Sequence, residues 1–332
     1  MKVVVFFHLK EVRWSLPDQV LDGWRGRFSQ ARVVSVEDDG LLEAELRDAE
    51  IFVGWRLSPE QFAAAPRLRW LHSASAGIED CLFPALVASD VILTNSTGLH
   101  SVSIPEHVLG QMLVLARNFH EAQRLQEKRE WNRFGVIAYA GGVRELDGSN
   151  LAILGAGPIG FNLARMAAAL GMRVRVMRRD ASRPVVGAER VCPPEALHEL
   201  LGWADFVVLA MPLTDETRGM IGEREIGAMR SSTFLINIAR GEMIDDAALA
   251  RALRAGGLAG AALDVFDQEP LPAEHPFWAL PNLVLTPHVS GYTPHYFRKM
   301  LEIFEDNLGR FLEGRALRNV VDKKLGYARA ES

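Results

Sequence analysis

The chain has 332 residues, 48% of them hydrophobic and 24% charged, and a formal net charge of −5 at pH 7. That length is long for one ordinary domain and suits two, each with enough apolar material for its own core. The charge offers no basic surface for nucleic acid or an anionic membrane, and the sequence contains no apolar run of the roughly 18 residues that a bilayer span needs.

The opening segment, "MKVVVFFHLKEVRW", has a short apolar run followed at once by charges, which predicts a first β-strand and not a signal peptide. Further strands are predicted at 31–36 ("ARVVSV"), 50–55 ("EIFVGW"), 68–75 ("LRWLHSAS") and 91–96 ("VILTNS"), with segments of helical length between most of them. Such alternation predicts an α/β fold with parallel strands and crossover helices. A long helix is expected from about 103 to 130. Ser103 followed by Glu106 matches a capping box at its start. The strongly apolar "VLGQMLVLARNF" within it predicts burial between domains or at a subunit interface. Met112, Leu113 and Leu115 are read as core or interface, and His107 as structural. "WNRFGVIAYAGGVRELDGSN" (131–150) has no periodicity and is read as a loop, and loops of that length are often functional. The apolar helix and this loop together predict a two-fold homodimer.

A second alternating series begins at Asn150, with strands at 151–155, 173–178, 205–211, 233–239, 260–266 and 283–289, and a last long helix from about 293 to 312. Cys81 and Cys192 form no CxxC pair, which predicts a reducing, cytoplasmic compartment, with a single disulfide between them left open. The nine histidines show no HExxH or similar ligand spacing, so no metal site is expected.

"LAILGAGPIG" places Gly155, Gly157 and Gly160 between an apolar strand and an apolar helix opened by Pro158 and Ile159. In that βαβ context the three glycines serve a tight turn, close approach to a pyrophosphate and helix–strand packing. The helix N-terminus offers unpaired N–H groups to phosphate, and Pro158 suits the first helical position. The next strand ends in Arg178 and Arg179, where an NAD-binding fold commonly carries an acid for the ribose hydroxyls. A guanidinium there can fork onto a 2′-phosphate, with Arg183 able to add to the cluster. The charge logic predicts NADP(H) over NAD(H), with NAD(H) still open. A Gly-rich turn without ligand and a solvated strand end are the plainer readings of the two features.

Three later segments place chemistry at strand ends: Arg240 in "NIARGEMID", Asp264 and Glu269 in "ALDVFDQEP", and His288 in "TPHVSG". Ligands of open α/β sheets sit outside the carboxyl ends of the strands, so a cation, a carboxylate and an imidazole are expected at the cofactor's edge. Taken singly, each has a plainer reading: a strand cap, a turn residue before Pro270, a buried histidine after Pro287.

Together with "LHSASAGIED", "TNSTGLHSVSIPEHVLGQML" and the closing "NLGRFLEG…LRNVVD", these motifs resemble the NAD(P)-dependent D-2-hydroxyacid dehydrogenases over nearly the whole chain, and within them the glyoxylate/hydroxypyruvate (2-oxoacid) reductases. The resemblance implies reduction of a small 2-oxo acid to the D-2-hydroxy acid. Arg240 would bind the substrate carboxylate, His288 donate the proton, and Glu269 orient and charge the imidazole, roles that the chemistry of each group also suits. It further implies substrate contacts at Arg56 and from the backbone of Ser75, Ala76 and Gly77, and cofactor contacts at Pro212, Thr217 and Asp264. Trp131 corresponds to an aromatic position that in some relatives reaches a neighbouring subunit's site. Solvated, packing or turn roles stand beside each of these.

The expected architecture is two Rossmann-like or flavodoxin-like domains with an interdomain active-site cleft. A discontinuous substrate domain (1–101 plus 292–332) would flank a dinucleotide-binding domain (102–291). Two rivals remain: a phosphoglycerate dehydrogenase-like enzyme, for which the extra regulatory domain often appended is not expected, and a non-catalytic dinucleotide sensor on the same fold.

Overall fold

A computed structural model describes residues 1–8, 13–78 and 81–328; the last two residues of the "LHSASAGIED" segment lie outside them. The chain divides into two compact units, residues 1–99 with 294–332, and residues 100–293. The sequence placed the crossings at 101/102 and 291/292.

The first unit is built on strands β1 (Lys2–His8), β2 (Arg13–Trp14), β3 (Arg32–Ser35), β4 (Ile51–Gly54), β5 (Trp70–Ser73) and β6 (Ile92–Asn95). The parallel strands lie in the order β3-β1-β4-β5-β6, and β2 pairs antiparallel with the far end of β1. The run from Val3 to Phe7 is apolar at every position because both faces of this sheet are covered. Val3, Val5 and Phe7 pack on one face with helix α1 (Asp18–Arg27), through Leu21 and Trp24. Val4 and Phe6 pack on the other with α2 (Asp39–Leu46), through Leu42 and Leu46. Short helices α3 (Pro59–Ala63) and α4 (Pro84–Ala88) complete the connections.

The second unit opens with α5 (Ser103–Ala116), α6 (Phe119–Glu127) and α7 (Arg133–Ala138). Its sheet comprises β7 (Asn150–Leu154), β8 (Arg173–Met177), β9 (Arg190–Cys192), β10 (Phe206–Leu209), β11 (Phe234–Asn237), β12 (Gly260–Leu263) and β13 (Leu283–Leu285). All seven are parallel, in the order β9-β8-β7-β10-β11-β12-β13, so the strand order reverses between β7 and β10. Alternate strand residues again feed two cores. One holds Leu151, Ile153, Val176, Phe206 and Ile236 against α5 and α8 (Pro158–Ala169). The other holds Leu154, Val207, Leu235 and Leu263 against α9 (Leu197–Trp203), α10 (Glu223–Ala228) and α11 (Asp246–Ala255). The chain then returns to the first unit. Here α12 (Tyr296–Leu312) packs Met300, Phe304 and Leu308 on the face that also carries α1, and a hairpin of β14 (Val321–Asp322) and β15 (Tyr327–Ala328) follows.

Several expectations need correction. The helix expected over 103–130 is two, because Asn118 adopts a left-handed backbone (φ 53°). Its amide donates to Val136 O and Tyr139 O, each at 2.9 Å, which fixes the bend. Asparagine tolerates that conformation better than most residues. The capping box at Ser103 does not form. Val102 is the N-cap, and Ser103 Oγ donates to Gly291 O at 3.3 Å. The segment read as a loop contains α7, whose N-cap Asn132 accepts from Gly135 N at 2.8 Å. Six residues are too few to display helical periodicity. The expected strands at 68–75 and 283–289 are shorter, at Trp70–Ser73 and Leu283–Leu285, and the last helix starts at Tyr296.

Candidate active site

The cross-strand register aligns one row of residues at the carboxyl edge of the second sheet. Cys192, Met177, Leu154, Leu209, Asn237, Leu263 and Leu285 are successive partners across the seven strands. Nearly every candidate group of this unit lies within a few residues beyond that row. Gly155 follows β7, Arg178 and Arg179 follow β8, and Pro212 follows β10. Arg240, Asp264 and His288 follow β11, β12 and β13. From β8 to β13 is five strand spacings, on the order of 24 Å at about 4.8 Å each. A single ligand meeting both the arginine pair and the imidazole would therefore have to be elongated.

The three glycines do different work. Gly155 has φ 120°, and a Cβ there would stand 2.4 Å from Ala210 O. A Cβ on Gly160 would stand 2.1 Å from Gly155 O, so the start of α8 presses directly on the turn. A Cβ on Gly157 would meet nothing within 4 Å. Its bare backbone faces open space, as a close-approaching phosphate requires. Pro158 is the first residue of α8, with Gly157 as N-cap and Ile159 next. The unpaired N–H groups of this first turn suit an anion, so the residues present fit a dinucleotide.

At the end of β8 the two arginines differ. Arg178 is half-buried and lays its guanidinium 5.8 Å from the centroid of Phe161, on the first turn of α8. Arg179 is exposed and pairs with Glu216 at 2.6 Å. Arg183 pairs with Asp180 at 3.1 Å. In the loop after β10, Thr217 Oγ1 donates to Pro212 O at 2.9 Å and accepts from Thr214 N at 2.8 Å. Thr217 thus staples the turn, while Pro212 is exposed on it.

Arg240 is half-buried, and its Nη1 donates to Ala239 O at 2.7 Å. Asn237 Nδ2 donates to Arg240 O at 2.8 Å and fixes the bend that carries it. A Cβ on the next residue, Gly241, would fall 1.9 Å from the Phe266 carbonyl carbon. That close approach seats the Arg240 turn on the loop leading to Glu269. Glu269 Oε1 accepts from Phe266 N at 2.9 Å, and its Oε2 takes a bond from His288 Nδ1 at 2.7 Å. The imidazole remains half exposed at 51%, within reach of a solute. Its own backbone is left-handed, φ 52°, an uncommon conformation for a histidine that the surroundings must hold in place.

Asp264 does the holding. Its backbone O accepts from His288 N at 2.8 Å. Its carboxylate accepts from Val289 N at 3.0 Å, Ser290 N at 2.9 Å and Thr286 Oγ1 at 2.6 Å. Asp264, which the resemblance implies as a cofactor contact, has 0% exposure, and its carboxylate organises the His288 turn. Thr286 and Gly241 are the residues that sequence reasoning missed. The glycine beside Arg240 was the available signal for the second, and a threonine at a strand end gives none for the first.

In the first unit, Arg56 is exposed directly after β4. The turn at 75–77 is braced from within: Ser75 N donates to Ser73 Oγ at 3.3 Å, Asn95 Nδ2 to Ala76 O at 2.6 Å, and Ser96 N to Ser75 O at 3.0 Å.

A cavity of about 640 Å³ in the second unit is lined by Tyr139, Arg144, Ser232, Leu253, Leu280 and Asn282. It lies where the chain enters β11, β12 and β13, at the opposite edge of the sheet from His288, and contains none of the candidate side chains. Volume alone does not make a site, and the candidate side chains of this unit lie at the carboxyl edge. Among the described residues there is no cluster of three or more metal-ligating side chains, and no helix is long and apolar enough to cross a membrane.

Comparison with known proteins follows the same lines. Residues 109–290 match the family model described as D-isomer specific 2-hydroxyacid dehydrogenase, NAD binding domain. The chain is 31% identical over 315 residues to a glyoxylate reductase of Korarchaeum cryptofilum, covering 92% of this chain and 90% of that one. It is 32% identical over 285 residues to a D-3-phosphoglycerate dehydrogenase of Methanocaldococcus jannaschii, covering 85% of this chain and 53% of that one. Among solved structures, an NADPH-dependent glyoxylate/hydroxypyruvate reductase from Sinorhizobium meliloti, in complex with NADP and sulfate, superposes with a TM-score of 0.82 at 29% identity, covering 98% of this chain and 99% of that one.

Proposed function

The chain belongs to the D-isomer specific 2-hydroxyacid dehydrogenase family, and from that premise we propose that it reduces a small 2-oxo acid of the glyoxylate or hydroxypyruvate kind to the D-2-hydroxy acid, with NADPH as the preferred cofactor and His288 as the proton donor. The observation that carries this reading is the 2.7 Å contact between His288 Nδ1 and Glu269 Oε2 at the carboxyl edge of a dinucleotide-type sheet. When bound, NADPH supplies the hydride and both electrons of the reduction.

The rest falls to the chain's own residues. Glu269 accepts from Nδ1–H and fixes the ring, whose second proton in the charged form sits on Nε2. As the carbonyl oxygen gains electrons, Nε2 gives it that proton, and the neutral ring stays bonded to Glu269. Arg240 forks onto the substrate carboxylate and holds the carbonyl in line. Residues 75–77 and Arg56 serve as further substrate contacts. The 155–160 turn takes the pyrophosphate, with Pro212 along the adenosine side and Thr217 bracing that loop. Arg178 and Arg179 take the 2′-phosphate. The phosphoglycerate dehydrogenase relative and the exposed Arg56 favour a second reading, a phosphorylated 2-oxo acid as substrate. The exposed aromatic side chains of Phe119, Trp131 and Phe134 support a homodimer.

One assay series tests the reading: loss of absorbance at 340 nm with NADPH or NADH against glyoxylate, hydroxypyruvate and phosphorylated 2-oxo acids. His288→Asn should lower kcat roughly 100-fold or more with cofactor binding intact; near-normal turnover removes His288 as the acid. Replacing Arg178 and Arg179 together by Gln should raise KM for NADPH roughly 10- to 100-fold, the equivalent of one charge-assisted bond, and leave KM for NADH nearly unchanged. An equal rise for both cofactors removes the 2′-phosphate assignment.

A further inference from the structure

Two residues of α5 reach the Thr286 hydroxyl at the His288 turn. Gln111 is 4% exposed, and its Nε2 donates to Thr286 Oγ1 at 3.4 Å. His107 Nε2 lies 3.2 Å from the same hydroxyl and 3.8 Å from Asp264 Oδ1. We infer that His107 and Gln111 are positioning residues for His288, acting through the Thr286 hydroxyl to lock the Asp264 carboxylate that holds the left-handed turn; the inference rests on the reading of His288 as the proton donor.

The proton count fixes the direction of every bond. Thr286 has one hydroxyl hydrogen, and the 2.6 Å contact gives it to Asp264, which can only accept while it is ionised. The hydroxyl oxygen must therefore accept from its other two neighbours. Gln111 presents its NH₂ group, and His107 carries its proton on Nε2. Burial pushes the His107 ring below its ordinary value, against the pull of Asp264, which keeps the ring neutral near pH 7.

Stability does not account for this arrangement. Gln111 Oε1 is buried with no hydrogen-bond partner among the described residues, a cost that an aliphatic side chain among Val108, Met112 and Leu115 would not carry. Backbone bonds already tie the strands there: Asp264 N donates to Asn237 O at 3.0 Å and Thr286 N to Leu263 O at 3.0 Å. What the polar side chains add is a fixed carboxylate position. Two successive N–H groups, of Val289 and Ser290, hang from that carboxylate, and the turn they define carries the imidazole. A turn shifted by about 1 Å costs on the order of 100-fold in rate.

The test measures kcat, KM for glyoxylate and Kd for NADPH in Thr286→Val, Thr286→Ser, Gln111→Met and His288→Asn, with thermal melting of each. Expected is a kcat in Thr286→Val reduced roughly 10- to 100-fold, Kd for NADPH within about twofold of the parent, and recovery to within about threefold in Thr286→Ser. Gln111→Met should melt at or above the parent temperature yet lower kcat. A Thr286→Val enzyme with parental kcat, beside an inactive His288→Asn, overturns the positioning role and leaves the proton donor standing. Loss of NADPH affinity and kcat together in Thr286→Val also overturns it, since that is general loosening. Should Thr286→Val not fold, Gln111→Met decides alone. Parental turnover in His288→Asn overturns the donor assignment itself, and the positioning role with it.

Discussion

At the residue scale, the site depends on polar side chains removed from water and given fixed partners. Asp264 is the plainest case: a sealed carboxylate that spends both oxygens on the turn carrying His288. The first unit has a sealed polar side chain of its own, His72 on β5. It has 0% exposure, with Nδ1 at 2.8 Å from Thr94 Oγ1 and Nε2 at 3.3 Å from Ser96 Oγ. Burial pushes the ring from its ordinary 6.5 down to about 3. Between those values the unfolded chain binds a proton that the folded chain refuses. Stability therefore falls as pH falls through that window, by about 1.4 kcal/mol per pH unit from this residue. His72→Gln should flatten the slope of the urea midpoint between about pH 6.5 and pH 5, whatever it does to absolute stability. An unchanged slope would mean that His72 titrates normally in the fold. Arg240, Glu269 and His288 were legible in the sequence because each is a chemically distinctive group just past a recognisable strand. Asp264 was equally visible, yet its burial was not, because what covers it comes from α5 and from the turn after β13.

At the scale of elements, the strand–turn–helix from β7 into α8 sets how close a ligand can come to backbone. The glycines were legible as a group, and their division of labour was not. Gly160 lies against Gly155 O, whereas Gly157 faces open space. Gly160→Ala should therefore lower stability by about 1–3 kcal/mol through overpacking. Gly157→Ala should leave stability within about 0.5 kcal/mol and weaken NADPH binding instead. Denaturant melts and cofactor titration of the two variants separate these outcomes, and equal stability losses would contradict the assignment. The same scale explains the misread helix. Hydrophobic spacing runs on through Phe119, but Asn118 turns the backbone left-handed and its amide ties down α7 and its C-cap. No local pattern signals such a bend, since its partners lie 18 and 21 residues further on.

For the whole molecule, the second unit leaves large apolar side chains in water along α5–α7. Trp131 is 97% exposed and Phe134 78%, with Phe119 and Ile137 nearby in sequence at 56% and 42%. Large apolar side chains left in water fit an association surface, in line with the proposed homodimer. Light scattering should return about twice the 36.8 kDa chain mass. Trp131→Asp with Phe134→Asp should shift it toward one chain; a parental mass in that variant would place the interface elsewhere.

The sequence by itself determined the α/β alternation, the phosphate-type turn, the basic end of β8 and the candidate trio Arg240, Glu269 and His288. Those are short-range signals, carried by residue type and spacing within one element and its flanks. Tertiary structure decided the rest. The register set Asn237, Leu263 and Leu285 in one row, so that the groups beyond them share an edge. Gly241 let two loops touch, and Glu216 was brought to Arg179 from 37 residues away. The bonds among Gln111, Thr286 and Asp264 join residues separated by as many as 175 positions. Such contacts have no local signature, because burial and hydrogen-bond partners are properties of the packed sheet and its covering helices, not of the strand that contributes the residue.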